Sequence, residues 1–165
     1  MGFFTTVHRD LVNWDLQRTF NFEVMLPDVA GIPGYTVSKY CQAARFGDYD
    51  IATLSEIRYG AFRAKYVGFF EIKPLTLTFL CPTQDVVLEY LKAWRGLERT
   101  DNGFYGVKSS YAKTIHVMLH DRAGNTVDQF TFYGTFPKNM PEFNLTYKEE
   151  SVVEYDITFN VDRVK

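Results

Sequence analysis

The chain has 165 residues, enough for one core and short of what two domains need. Charged residues make up 23% and hydrophobic residues 46%, which excludes a disordered chain. The net charge of −2 excludes a protein that grips nucleic acid through its phosphates.

Aromatics reach 17%, with 15 Phe and 11 Tyr, which fits either a β-rich core or a surface that meets another subunit. Cys41 and Cys81 lie far apart without metal-ligand spacing, and read as two buried, reduced cysteines. Gly2–Val7 lacks the basic start of a signal peptide, and no apolar run approaches the roughly 20 residues of a membrane span.

Residues 1–17 carry Phe3, Phe4, Val7, Leu11 and Trp14 among polar residues. They read as a short helix or as an extended arm, and an arm docked on a neighbouring subunit through Phe3, Phe4 and Trp14 is the expectation. Residues 18–165 read as a single domain. Phe20, Phe22, Val24 and Leu26 alternate with Asn21 and Glu23, a strand that Pro27 ends. A less regular strand is expected over 35–46.

Residues 47–68 show no clear period and read as a long loop. Arg58, Phe62, Arg63, Lys65 and Tyr66 mix basic and aromatic character there. That mixture suits single-stranded nucleic acid, but the acidic balance of the chain favours a protein interface. Over 69–80, Leu75, Leu77 and Phe79 alternate with Thr76 and Thr78, and Pro74 belongs near the strand start or at a bulge.

Residues 83–98 read as the one clear helix, with Thr83 as N-cap and an apolar stripe of Val87, Leu88, Leu91, Trp94 and Leu97. Two strands, 112–121 and 126–136, flank an Asp121–Asn125 hairpin loop, and Gly134 marks a bulge or a close approach. The last strand alternates strictly. Val153, Tyr155, Ile157, Phe159 and Val161 face one way; Glu154, Asp156, Thr158 and Asn160 face the other. The fold class is mainly β (α+β): an antiparallel β-sandwich or barrel of about six strands with one flanking helix and a long inter-subunit loop.

Signals of catalysis are weak. No nucleophile elbow, phosphate loop, zinc-protease or dinucleotide motif is present. His116 and His120 share one side of a strand but stand roughly 13 Å apart along it, too far for one metal. Cys41 with His8, His116 or His120 has no supporting spacing. Glu154 and Asp156 have the look of a glycosidase pair, yet a solvated acidic face explains them more simply. The expectation is no enzyme, no cofactor and no metal.

Several stretches together resemble the tail tube proteins of contractile-tailed bacteriophages. They are Arg18-Thr-Phe-Asn-Phe-Glu-Val, Gly68-Phe-Phe-Glu-Ile-Lys-Pro-Leu-Thr-Leu-Thr-Phe with the following helix bearing Tyr90 and Trp94, Tyr133-Gly-Thr-Phe-Pro-Lys, and Val153-Glu-Tyr-Asp-Ile-Thr-Phe-Asn-Val-Asp. The resemblance runs from about residue 18 to 165. It implies hexameric rings stacked head to tail into a hollow tube within a contractile sheath, a fold shared with type VI secretion tubes.

The implied partners are further copies of the chain, a sheath protein, a baseplate or tube initiator, a tail terminator, a tape measure protein in the lumen and DNA in transit. The implied place is the virion tail, with assembly in the host cytoplasm. A tube initiator, a secretion-type tube subunit and a small-ligand β-barrel module are the alternatives. On this reading Glu154, Asp156, Thr158, Asn160, Asn21, Glu23, Thr76 and Thr78 line the lumen, where an acidic wall repels phosphate. Arg58, Phe62, Arg63, Lys65 and Tyr66 make contacts between rings.

Overall fold

The computed structural model describes residues 21–143, 145–147 and 152–165, with backbone alone at 53–55. Among the described residues it has nine strands and three helices. The chain runs β1 (Phe22–Met25), α1 (Gly34–Ser38), β2 (Cys41–Arg45), β3 (Tyr49–Tyr59), β4 (Phe62–Ile72), β5 (Leu75–Leu80) and α2 (Val86–Glu98). It continues through α3 (Lys108–Tyr111), β6 (Lys113–His120), β7 (Thr126–Pro137), β8 (Glu154–Asn160) and β9 (Arg163–Val164).

One sheet holds seven strands, in the order β1-β6-β7-β8-β5-β2 with β9 also on β7; β3 and β4 form a second, two-stranded sheet. All pairings are antiparallel. The closing strand lies at the centre. β8 pairs with β5 from Leu75↔Phe159 to Leu80↔Glu154, and with the end of β7 at Phe136↔Asn160 and Pro137↔Phe159.

The expected alternation holds: Tyr155, Ile157 and Phe159 are buried while Glu154 and Asp156 are exposed. A period of two in a strand with one wet face leaves no other register. Their neighbours Leu75, Leu77 and Phe79 fill the same core.

The helix α2 covers this face. Trp94 meets Phe159 with ring centroids 5.6 Å apart, and its indole N–H donates to the Tyr111 carbonyl at 2.7 Å. Tyr90, equally buried, donates its hydroxyl to the Pro27 carbonyl at 2.6 Å. Two buried polar handles thus find partners, which lets these large rings enter the core without an unpaired group. The buried side of α2 is Val87, Tyr90, Leu91 and Trp94; Leu88 is only half-buried, a small rotation of the expected stripe.

Gly134 marks a bulge, as its position in an aromatic strand suggests. Lys113 pairs with Thr135 but Ile115 with Phe132, so β7 has one residue more than β6. Gly134 adopts φ +65°, and a Cβ there would collide with the Asp162 side chain. At the Asp121–Asn125 loop the Asp121 carboxylate accepts from the N–H groups of Ala123 at 2.8 Å and Asn125 at 2.9 Å, an Asx-type turn.

Four expectations are corrected. Residues 47–68 are not a loop but most of a hairpin with eleven-residue strands. The stretch 35–46 begins as the short helix α1, and only Cys41–Arg45 is strand. The stretch 69–80 is split at Pro74, which lacks the N–H a continuous ladder needs, between the end of β4 and β5. The N-cap of α2 is Asp85, whose carboxylate accepts from the Leu88 N–H at 2.9 Å, and not Thr83. The strands also exceed six, and α1 and α3 join the expected helix, each under six residues long. β1 and β2 end the sheet without pairing to one another, so among the described residues no closed barrel forms.

Candidate assembly surfaces

The hairpin β3–β4 stands apart from the main sheet. Its strands pair only with each other among the described residues, and an isolated two-stranded hairpin is marginal in water. Gly60, at φ +60°, occupies the first position of its two-residue turn, where glycine relieves the strain.

Tyr59 is 86% exposed, Phe62 81% and Phe69 83%, and Tyr49, Ile51, Ile57, Tyr66, Val67 and Phe70 are exposed as well. So many exposed large apolar side chains on one hairpin mark an interaction site. The five residues expected to bridge rings, Arg58, Phe62, Arg63, Lys65 and Tyr66, all lie on this hairpin and all are exposed. Glu56 holds Arg63 and Lys65, each at 3.6 Å.

Sequence reading missed Tyr49, Ile51, Tyr59 and Phe70. The signal was there in Phe62-Arg-Ala-Lys-Tyr66, which alternates, and in the Gly60-Ala61 turn. Register slips on both strands hid the period elsewhere.

The second surface is the outer face of β5 and β8. Thr78 donates its hydroxyl to Asp156 at 2.5 Å, and the hydroxyls of Thr76 and Thr158 lie 3.4 Å apart. Asn139 accepts from the Thr158 N–H at 2.7 Å. Glu142, Glu154 and Asp156 border a cleft of about 450 Å³ here. Thr76, Thr78, Glu154, Asp156, Thr158 and Asn160, six of the eight residues expected in a lumen, therefore lie together on one polar face. Arg45, opposite Thr76 in the β2–β5 pairing, puts a positive charge beside them that the β8 pattern alone does not reveal.

Asn21 and Glu23 lie at the far end of the sheet path. Glu23 is 3.3 Å from the His120 ring, and Asn21 donates to the Asp121 carbonyl at 3.4 Å. The structure does not bring these two to the others. Phe3, Phe4 and Trp14, the residues expected to anchor the arm, lie outside the described residues.

A third feature is a cleft of about 290 Å³ at the end of α2, bordered by Arg95, Glu98, Arg99, Tyr105 and Lys138. The Glu98 Oε1 atom is buried with no hydrogen-bond partner among the described residues. Burial raises its carboxyl above the usual range, and nearby Arg95 partly offsets that.

The cysteines are half-buried instead of buried, and free. Burial pushes the Cys41 thiol up to about 12, and burial with a hydrogen bond to Asp85 raises Cys81, so both are poor nucleophiles at neutral pH. His116 bonds Thr131 at 3.1 Å, and no group of three or more metal-ligating side chains occurs among the described residues. No described helix is long and apolar enough to cross a membrane.

No protein-family model and no curated protein matches the chain. Solved structures do match. A chain of the anti-feeding prophage tube-terminating cap superposes with TM-score 0.68 at 20% identity, over 91% of this chain and 89% of that one. A chain of the PVC sheath-tube complex, an extracellular contractile injection system in its extended state, gives 0.65 at 18% identity over 95% of both chains. The PVC sheath/tube terminator gives 0.68 at 18% identity over 93% of this chain and 97% of that one.

The fold is therefore one found in chains of contractile injection assemblies, among them a tube-terminating cap. At this level of identity the likeness establishes the fold.

Proposed function

We propose that the chain is a structural tube subunit of a contractile injection machine, forming rings that stack into a hollow tube. One observation carries this reading: a fold matched over 93% or more of the chain by chains of extended-state injection assemblies also bears a long, exposed, aromatic hairpin with no sheet partner among the described residues. Among the described residues the sheet ends at β1 and β2 are unpaired, an aggregation hazard in a monomer, and ring closure with neighbouring copies covers them. A head-to-tail contact along the axis then repeats without closing and yields a filament.

On this reading the polar face of Glu154, Asp156, Thr158, Asn160, Thr76 and Thr78 lines the bore, while Asn21 and Glu23 stand apart from it at the far end of the sheet path. The hairpin, with Arg58, Phe62, Arg63, Lys65 and Tyr66, joins rings. Phe3, Phe4 and Trp14 reach a neighbouring subunit. The partners are a sheath protein, a baseplate or initiator and a terminator. A phage tail tube that conducts DNA around a tape measure protein is the narrower form, and the injection-machine likeness favours the broader one. A role as cap or terminator is the second reading, favoured by the cap and terminator chains among the matches.

Negative-stain microscopy of the concentrated protein separates them. Long tubes of uniform bore support the tube subunit. Single rings or short stacks that seal the end of another tube support the cap. Dispersed monomers overturn both. Replacing residues 53–67 by a short turn should leave a folded subunit that forms rings but no long tubes.

A further inference from the structure

The hairpin β3–β4 is divided into halves, and the character of the halves is exchanged between its two faces. Its register slips twice, between Ile51 and Thr53 and between Thr53 and Glu56, each slip adding a residue to the opposite strand from the other. Directly opposed residues share a face. At the base, Tyr49↔Ile72 and Ile51↔Phe70 make one face apolar, and the Tyr49 and Phe70 rings meet at 4.9 Å. The other face of the base is acidic: Asp50 stands opposite Glu71, with Lys73 on Asp50 at 3.0 Å.

Beyond the two slips the assignment inverts. The face that was apolar now carries Glu56↔Lys65 and Arg58↔Arg63, three cations against one acid. The face that was acidic now carries Ile57↔Ala64 and Tyr59↔Phe62.

Both charged halves oppose like charges, Arg58 to Arg63 and Asp50 to Glu71, an arrangement that destabilises an isolated hairpin. Lys73 on Asp50 and Glu56 on Arg63 offset part of this within the chain, and each half carries the opposite charge that would offset the remainder of the other. We propose that hairpins of two copies of this chain overlap tip over base, so that basic tip meets acidic base on one side and apolar tip meets apolar base on the other.

The charge complementarity identifies the occupant as a second copy. When copies stack facing the same way, as head-to-tail rings do, tip-to-tip or base-to-base contact sets charge against apolar surface and desolvates it without a partner. The pattern therefore rejects hairpins lying side by side at one level and selects an axial offset of half the hairpin, roughly 18 Å at about 3.3 Å per residue. This rests on the tube reading above and specifies the contact between successive rings.

The test uses the full chain and two double reversals, Arg58→Glu with Arg63→Glu at the tip and Asp50→Lys with Glu71→Lys at the base. Each alone sets like charge against like and should lose tubes, by microscopy and by sedimentation. An equimolar mixture of the two should regain them in alternation, and the fourfold variant should regain them alone, which also shows that the altered hairpin folds. Tubes that persist in either double variant overturn the tip-over-base contact and leave the tube reading standing. Loss in both without recovery in the mixture or the fourfold variant overturns it equally, since tip and base then meet other surfaces. A wild-type chain that never self-associates overturns the tube reading and this contact with it.

Discussion

Tyr155 donates its hydroxyl to Asp85 at 3.1 Å, and the same carboxylate caps α2 through the Leu88 N–H at 2.9 Å. The closing strand and the helix that covers it are thus joined by one side chain. Replacing Asp85 by Ala removes the cap and leaves the Tyr155 hydroxyl without that partner. The expected loss is about 2–3 kcal/mol, a cap of ~1 and an orphaned polar group of ~1–2. Urea unfolding reads it, and Asp85→Asn, which retains an acceptor, should recover most of it. An alanine variant as stable as wild type rules the joint out.

At the β7 bulge, Gly134→Ala meets two obstacles: a φ of +65° and the Asp162 side chain, itself held by Lys108. The expected cost is roughly 1–3 kcal/mol, and near-ultraviolet circular dichroism should show disturbed packing around Tyr133. Removing the obstruction as well, with Asp162→Gly, should recover only the steric part. Full recovery would mean that the backbone angle costs nothing.

The carboxyl of Glu98 is raised by burial. The folded chain then holds this proton more tightly than the unfolded chain, so the contribution is present below the unfolded-state value and is lost as pH rises through the folded-state value. Glu98→Gln, which cannot ionise, should therefore gain in melting temperature relative to wild type on going from pH 4 to pH 7. A gap that is constant with pH would show that the carboxyl finds a donor in solution.

For the proposed bore, Glu154→Lys with Asp156→Lys exchanges two exposed acids for cations and costs the Thr78–Asp156 hydrogen bond, about 1 kcal/mol or less at this exposed site. Assembled wild-type tubes should not retain a labelled oligonucleotide. The lysine tubes should retain it at low salt and release it as salt screens the charges. Equal retention by both would place these carboxylates away from the bore. Arg45, beside Thr76, is the natural third position to vary, since its removal should lower any residual retention by wild type.

Periodicity alone determined much of this chain: the two-residue alternation of β8 and β5, the stripe of α2 around Leu91 and Trp94, the Asp121 turn and the Gly134 bulge. Each is local, because the spacing of side chains along one element declares which side is buried whatever it packs against. The hairpin was unreadable for the same reason. Two register slips break its period, and neither face is buried among the described residues, so no single alternation describes it. Only the tertiary structure decided that Arg45 borders the polar face of β5 and β8, that Asn21 and Glu23 lie far from it, and that the halves of the hairpin exchange character. Those relations join residues on different strands, and they depend on strand order and cross-strand register, which pairing sets and no one-strand pattern encodes.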